Sequence, residues 1–240
     1  MREYRALFFH VSQINIMRRI LIACFLLATH FVNAQGVAKT QSLFNGTDLK
    51  GWYSFLTSKG KNNDPEKVFT VSDKMLHITG KEFGYISTEK SYKDFHLVVE
   101  FKWGTKKYPP RAADTTKRDN GICFFVPADD KDVVWPKSVE CQIQEGDVGD
   151  IWLIGYTTVV VDGKRTIPKD YNRVQKKRDG EKPTGEWNRV EVIANKGKIT
   201  YIVNGVVVNE AESPSVTEGK ILVQSEGAEI YYRKIEITEL

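Results

Sequence analysis

The sequence predicts an all-β domain, built as a sandwich or a barrel of short antiparallel strands. Candidate strands recur at fairly regular spacing with turn residues between them, and no segment shows a convincing amphipathic helical pattern. A further observation is the Asn204-Gly205 pair, which separates the apolar runs 199–203 and 206–210. Because both residues of such a pair accept positive φ, this stretch predicts a β-hairpin with a tight turn.

The other candidate strands are short, largely apolar runs bounded by turn residues. They cover residues 68–71, 75–79, 84–88, 95–103, 121–126, 138–144, 187–194, 221–225 and 230–238. Two long loops interrupt the pattern, at 104–119 and 162–183. The second loop is rich in Lys and Arg, and it is interpreted either as a solvated loop or as a lid over a site.

The N-terminal segment has the pattern of a signal peptide. Arg18 and Arg19 precede an apolar run over residues 20–32, and Ala34 ends a small-residue cleavage site. The apolar run is too short to cross a bilayer as a stable helix. Cys24 lies in a lipoprotein-like cleavage box, but it follows the arginines too closely, which makes lipidation the less favoured outcome.

Residues 1–34 are therefore expected to be absent from the mature protein, with Met17 as an alternative start. Residues 35–240 are expected to form one domain in the periplasm or outside the cell, without a transmembrane segment. The whole chain has a formal net charge of +4, and residues 1–34 hold most of that excess, so the mature chain is close to neutral at about +1. This balance argues against nucleic acid as a partner. The sequence leaves the oligomeric state open.

Cys123 and Cys141 are the two cysteines of the mature chain. If strands 121–126 and 138–144 form a hairpin with residue 126 opposite residue 138, Cys123 lies opposite Cys141. An exported protein can oxidise such a pair. Because directly opposed disulfides are often strained, two buried thiols are an equally favoured interpretation.

The segment 137–147 alternates like a strand with one apolar face, yet its other face carries Glu140, Gln142 and Gln144. A carboxylate beside two amides is typical of a surface that hydrogen-bonds a polyhydroxylated ligand. This strand therefore predicts a carbohydrate site.

Six segments, spread in order over nearly the whole mature chain, carry a recognisable set of motifs. They are Ser42-Leu-Phe-Asn-Gly-Thr-Asp-Leu-Lys-Gly-Trp52, Tyr92–Lys102, Asp119-Asn-Gly-Ile-Cys-Phe-Phe125, Glu140-Cys-Gln-Ile-Gln-Glu145, Gly185-Glu-Trp-Asn188 and Gly219–Ser225. Together they resemble the 3-keto-disaccharide hydrolase family. The chain departs from the usual family pattern at Asn120-Gly121, where many members have Asn-Ser-Gly, and in the long charged insertion 104–118.

The resemblance implies a concanavalin A-like jelly roll, in which two antiparallel sheets pack together and sugars bind on a concave face. It also implies cleavage of 3-keto-glycosides, by hydrolysis or by elimination followed by hydration. Two alternatives stay open at this point. The chain could be a conventional glycoside hydrolase, or a non-catalytic carbohydrate-binding module in which the polar strand only grips sugar hydroxyls.

Glu140, Gln142 and Glu145 also match the E-x-D-x-x-E pattern of glucanases that share the jelly-roll fold, with Gln in place of the central Asp. Residues 140 and 145 face opposite sides of a regular strand, so a β-bulge would be needed to bring them together. A neutral Gln cannot help to set the protonation state of a neighbouring nucleophile. Conventional two-carboxylate hydrolysis is therefore disfavoured.

The 3-keto reaction needs fewer groups. A ketone at C3 acidifies the proton on C2, so one carboxylate base, either Glu140 or Glu145, can start an elimination. The enolate needs a donor or a metal. Gln142, Asn120 and Lys102 are candidate donors, and a divalent cation is an open option.

The remaining candidate substrate-binding residues are Glu100, Gln144 and Trp152. Several candidates have structural alternatives: Glu100 and Lys102 can pair with each other in solvent, Asn120 can shape a turn, and Trp152 and Tyr156 can pack in the core.

A metal site is supported only weakly. Glu145, Asp147 and Asp150 supply oxygen ligands of the kind that Ca²⁺ prefers, but a Gly-Asp-x-Gly-Asp turn explains them equally well. His77 and His96 are the only histidines of the mature chain and lie on separate candidate strands, so a His-rich site is not expected.

Overall fold

The computed structural model describes residues 39–129 and 131–240, and these residues form two antiparallel β-sheets. The expected signal peptide at 1–34 lies outside the described residues. Within the described part of the chain there is no α-helix, and so none that is long and apolar enough to cross a membrane.

Eighteen strands make up the two sheets. They are β1 (Thr40–Ser42), β2 (Trp52–Leu56), β3 (Gly60–Lys61), β4 (Phe69–Ser72), β5 (Met75–Ile78), β6 (Gly84–Thr88), β7 (Phe95–Lys107), β8 (Gly121–Val126), β9 (Ser138–Gln142), β10 (Ile151–Ile154), β11 (Val160–Val161), β12 (Lys164–Arg165), β13 (Tyr171–Val174), β14 (Asn188–Asn195), β15 (Lys198–Val203), β16 (Val206–Glu212), β17 (Lys220–Ser225) and β18 (Ala228–Glu239).

One sheet has ten strands in the order β12-β11-β16-β15-β14-β7-β18-β5-β4, with β1 also paired to β18. The other has eight strands in the order β13-β10-β9-β8-β17-β6-β2-β3. Neighbours in the sheets are often far apart in the sequence, so long connections link the two layers, as in a jelly roll. The fold class predicted from the sequence is confirmed.

The core lies between the sheets and is formed by the side chains on one face of each long strand. On β7, Phe95, Leu97, Val99 and Phe101 are fully buried against residues of the eight-stranded sheet. Because side chains alternate along a strand, the intervening residues of β7 point away from the core. On β9, Val139 and Cys141 face the core in the same way, and Glu140 and Gln142 lie on the opposite, outer face.

The hairpin predicted at Asn204-Gly205 is confirmed as the turn between β15 and β16. Asn204 has φ of 48° and Gly205 has φ of 85°, the left-handed conformations that this turn requires. Asn204 also ties the turn to its neighbours, because its side-chain oxygen accepts the Arg189 backbone N–H at 2.9 Å.

The pairing of β8 with β9 differs by one residue from the expected hairpin. Cys123 lies opposite Glu140, and Cys141 lies opposite Ile122. A shift of one residue moves a side chain to the other face of the sheet. The two cysteines therefore lie on opposite faces and are free, buried thiols, so the disulfide interpretation is wrong.

Both predicted loops are shorter than expected, because parts of them form strands. Strand β7 continues to Lys107, which leaves 108–120 as the loop. The segment 162–183 contains β12 and also β13, which forms an edge of the eight-stranded sheet. Sequence patterning missed β2 and β10 as well, although both carry apolar side chains into the core.

Candidate active site

A cleft of about 420 Å³ opens on the outer face of the eight-stranded sheet. Its lining residues lie on strands β9, β10 and β13 and in the segments that follow β7, β8, β9 and β17. Its lining residues combine carboxyl groups, amides, one arginine and aromatic rings: Arg111, Asp119, Trp135, Glu140, Gln142, Gln144, Trp152, Ile154, Tyr171 and Glu226. The mixture of apolar walls with a few converging polar groups is typical of a small-molecule site.

Glu140 lies in the middle of the sheet, because β9 pairs with β8 on one side and with β10 on the other. It is only 6% exposed. Gly121 on β8 makes room for it, since a Cβ there would overlap the carboxyl group of Glu140 and the amide oxygen of Gln224. Within the described part of the chain, no cationic side chain pairs with Glu140.

These surroundings disfavour the charged form of Glu140. Burial raises the pKa of this carboxyl well above its ordinary value, and the negative charges of Glu226 and Asp119 raise it further. The Gln224 oxygen lies beside this carboxyl, and the Gln224 nitrogen donates to Cys123 Sγ at 3.6 Å. These surroundings therefore favour the protonated form of Glu140 more than water does.

Glu226 faces the same cleft from the turn between β17 and β18. It is 7% exposed, and its Oε1 accepts a hydrogen bond from Trp135 Nε1 at 2.6 Å. Arg111 Nη2 lies 3.9 Å from its Oε2. Burial and the charge of Asp119 raise the pKa of Glu226 to about 7, while Trp135 and Arg111 act in the opposite direction.

Asp119 and Arg111 both line the same cleft and form an ion pair. Gln144 Nε2 donates a hydrogen bond to Asp119 Oδ2 at 2.7 Å. Burial nevertheless raises the pKa of Asp119, although the Arg111 charge and the Gln144 hydrogen bond act to lower it. Arg111 therefore stands between two carboxyl groups, Asp119 and Glu226, and is the cation of the cleft.

Aromatic rings supply the apolar surface. Trp152 lies beside Glu140 on β10, and Trp135 and Tyr171 meet edge to face with their ring centroids 6.1 Å apart. Flat aromatic faces beside hydrogen-bonding groups suit a sugar ring, which has apolar C–H faces and a polar edge.

The structure brings together four of the residues predicted from the sequence: Glu140, Gln142, Gln144 and Trp152 all line the cleft. Gln142 Oε1 accepts the Ile143 backbone N–H at 2.9 Å, which fixes the amide at the end of β9. The predicted polar face of the strand is thus present as one surface.

Glu145 does not reach the cleft, and no bulge brings it beside Glu140. Strand β9 ends at Gln142, and the Glu145 carboxylate turns to Arg118, whose Nη1 lies 3.0 Å away. It also accepts the Arg118 backbone N–H at 2.8 Å and the Thr184 hydroxyl. Burial alone would raise its pKa, but these hydrogen bonds and the Arg118 charge hold the pKa below its ordinary value.

Glu100 and Lys102 lie on the outer face of the other sheet, away from the cleft. Glu100 pairs with Arg233 at 2.6 Å and with Arg189 at 3.5 Å. The Lys102 ammonium lies 5.1 Å from the centre of the Trp187 ring. Neither residue lines the cleft, because alternation along β7 points both side chains to the outer face of the other sheet.

Asn120 is fully buried beneath the cleft and does not line it. Its amide donates to the Gln224 backbone carbonyl at 2.5 Å, and its oxygen accepts the Tyr232 hydroxyl at 2.5 Å. These bonds tie the start of β8 to β17 and β18, so Asn120 helps to hold together the strands that carry the site.

The acidic turn after β9 is organised by basic side chains. Asp147 pairs with Lys117 at 2.7 Å and with Arg173 at 3.0 Å. Asp150 is buried and pairs with Arg173, and it also accepts the Lys176 backbone N–H at 2.7 Å. In the described segments, no group of three or more His, Cys, Asp or Glu side chains is arranged to hold a metal ion.

Besides the apolar Ile154, five lining residues were not predicted as site residues: Arg111, Asp119, Trp135, Tyr171 and Glu226. All lie in loops, in a turn or at the start of an edge strand, where no hydrophobic period marks them. For Asp119 and Glu226, the position in the sequence was a usable signal. Asp119 opens one of the family-like segments, and Glu226 directly follows another.

Residues 39–238 match the 3-keto-alpha-glucoside-1,2-lyase-like domain family. The chain belongs to this family. Membership places it among carbohydrate-active enzymes and agrees with a site of buried carboxyl groups, amides and aromatic rings. No curated protein matches the chain.

Solved structures similar to this one share its fold. A proposed glycosyl hydrolase from Parabacteroides distasonis aligns over 84% of this chain and 94% of its own, with a TM-score of 0.59 and 20% identity. A β-glucanase from Bacillus licheniformis aligns over 86% and 100%, with a TM-score of 0.54 and 10% identity. The carbohydrate-binding module CBM66 from Bacillus subtilis aligns over 79% and 96%, with a TM-score of 0.52 and 10% identity.

Proposed function

We propose that this protein is an exported enzyme that cleaves 3-keto-glycosides, by removal of the C2 proton and elimination of the group at C1. Addition of water to the product then gives net hydrolysis. The observation that carries the proposal is the pair of buried carboxyl groups, Glu140 and Glu226, that face one aromatic-walled cleft. Family membership supports 3-keto-glycosides as the substrate class.

The elimination needs a base, an acid and a charge partner for the enolate oxygen. Two carboxyl groups with raised pKa values can move protons near neutral pH. Arg111 supplies positive charge in the same cleft and can stabilise the enolate as it forms. All three functions are therefore available from side chains of this chain.

The glucanase-like arrangement has less support. Its second carboxylate would be Glu145, which is bound to Arg118 outside the cleft, and its central position is Gln142. The binding-module alternative does not explain why two carboxyl groups are buried together, since burying charge costs free energy that a sugar-binding surface does not require.

The decisive experiment compares a 3-keto-glycoside with its unoxidised parent. We expect the purified protein to convert the 3-keto-glycoside and to leave the parent intact, and mass spectrometry should detect a sugar product that has lost the elements of water. Cleavage of the parent would favour a conventional glycosidase. Binding of either sugar without conversion would favour a binding module. A parallel reaction with a chelator tests for a divalent cation.

Export is part of the proposal, supported by the arginines, apolar run and small-residue site of residues 18–34. N-terminal sequencing of the protein produced in a bacterial host should begin at Gln35. A mature N-terminus at Cys24 would show lipidation, and retention of residues 1–34 would contradict export.

A further inference from the structure

We infer that Glu226 accepts the C2 proton and that Glu140 gives its proton to the departing oxygen at C1. The inference rests on the proposed function and deepens it by assigning a separate role to each of the two buried carboxyl groups. It follows from the hydrogen-bond partners that surround them, because environments that separate the protonation states of two neighbouring acids define an acid and a base.

Two side chains beside Glu226, Trp135 and Arg111, favour its ionised form and act against burial and the Asp119 charge. The Trp135 indole N–H can only donate, and it bonds Oε1 at 2.6 Å. Arg111 places a guanidinium nitrogen 3.9 Å from the other oxygen. A carboxylate that accepts an N–H on one oxygen and faces a cation on the other is suited to be the base.

Glu140 is surrounded by groups that favour its neutral form. In the described residues it has no cationic partner, and the oxygens of Glu140 and Gln224 crowd the same space above Gly121. The Gln224 Oε1 is buried and lacks a hydrogen-bond donor. A protonated Glu140 supplies that donor, whereas an ionised Glu140 would set two acceptors against each other.

The charged groups near Glu140 and Glu226 also favour Glu140 as the acid and Glu226 as the base. Asp119 repels both carboxylates, but its ion pair with Arg111 lies on the Glu226 side of the cleft. Glu226 and Glu140 also repel each other when both are ionised. The state in which one of them is protonated and the other ionised is therefore favoured at neutral pH. In that state the proton resides on Glu140.

The reaction balances without a further reactant. Glu226 takes the C2 proton, and the C–H electron pair forms the enolate of the C3 ketone. The enolate then collapses to a C1–C2 double bond as the C1–O bond breaks, and the Glu140 proton passes to the released oxygen. The products are the free alcohol and an unsaturated 3-keto sugar. Proton exchange with water restores both carboxyl groups.

Proton exchange at C2 separates the two roles. In D₂O, a Glu140→Gln variant should still replace the C2 hydrogen of a 3-keto-glycoside by deuterium while its cleavage rate falls at least 100-fold, because the base is intact. A Glu226→Gln variant should lose both exchange and cleavage by about the same factor. The matched control Glu145→Gln lies outside the cleft and should keep both.

The opposite pattern, with exchange lost in Glu140→Gln and kept in Glu226→Gln, would overturn the assignment. Failure of the unmodified protein to convert any 3-keto-glycoside would instead overturn the proposed function. Carboxyl ¹³C NMR of the unmodified protein tests the assignment without turnover or variants. At pH 7.5 the Glu140 carboxyl should be neutral and the Glu226 carboxyl largely ionised, and the reverse would refute the inference.

Discussion

Glu140 and Glu145 lie five residues apart on one segment, yet their surroundings are opposite. Among the described residues, Glu140 has no cationic partner, and it faces the cleft, while Glu145 accepts hydrogen bonds from the backbone and guanidinium of Arg118 and from the Thr184 hydroxyl. The same residue type therefore serves chemistry at one position and loop anchoring at the other.

The contrast predicts different outcomes for the two Glu→Gln variants. Glu140→Gln should lower kcat at least 100-fold without loss of stability, because a neutral amide fits a site that already favours the neutral form. Glu145→Gln should cost about 1–2 kcal/mol of unfolding free energy, because it weakens charge-assisted hydrogen bonds, and should keep kcat within about twofold. Steady-state kinetics and urea unfolding check both, and a large loss of kcat in Glu145→Gln would contradict the placement.

The raised pKa of Glu226 predicts that a Glu226→Gln variant is more stable than the unmodified protein at high pH only. Its pKa is raised from 4.5 to about 7, so ionisation costs the folded state more than the unfolded state. The native protein therefore loses stability as pH rises from about 4.5 through 7, by up to about 3 kcal/mol from this group. Glu226→Gln removes that cost and should raise Tm at pH 8 but leave it nearly unchanged at pH 4.

Calorimetry at the two pH values measures this difference. The exposed Glu186 offers a matched control, and Glu186→Gln should leave Tm unchanged at both. An equal Tm shift for Glu226→Gln at pH 4 and pH 8 would show that ionisation of Glu226 is not the cause.

At the scale of elements, the connection between β8 and β9 covers part of the outer sheet face. Asp132 in this connection accepts the hydroxyls of Tyr53 at 2.9 Å and Tyr85 at 2.7 Å. Further along, Trp135 bonds Glu226 and packs edge to face on Phe83. The connection therefore closes one side of the cleft and also positions the proposed base.

Asp132→Ala should loosen this connection. The Tyr85 hydroxyl would lose its acceptor while the residue stays buried, which costs about 2–3 kcal/mol. We also expect a lower kcat, because Trp135 would hold Glu226 less firmly. The exposed neighbour Asp129 provides the control, and Asp129→Ala should change neither quantity. Equal unfolding free energies for the two variants in urea would contradict the anchoring role of Asp132.

The connection between β8 and β9 also explains why the pairing of these two strands was predicted wrongly from the sequence. Strand positions such as 84–88 and 121–126 follow from local alternation and agree with the structure. The register between β8 and β9 is not local, because a connection of eleven residues joins them and no tight turn fixes the pairing. The residues that complete the cleft, such as Arg111 and Glu226, lie in comparable irregular segments and carry no periodic signal.

At the scale of the whole molecule, the described residues are stabilised by the continuous core between the two sheets, and the two cysteines among them form no disulfide. Cys141 lies in that core, whereas Cys123 lies on the outer face of the same sheet, and both are fully buried. Burial raises the pKa of each thiol well above its ordinary value. Both thiols are therefore neutral and unreactive in the folded protein.

This arrangement predicts that the mature protein is insensitive to reductant. A thiol reagent should label neither cysteine in the folded state and both after denaturation without reductant, and dithiothreitol should leave Tm unchanged. Since the two side chains lie on opposite faces of the sheet, a bond between them would require a one-residue shift of β9. That shift would also turn Glu140 into the core and remove it from the cleft. Detection of a disulfide by mass spectrometry in active protein would therefore contradict both the sheet register and the site built on it.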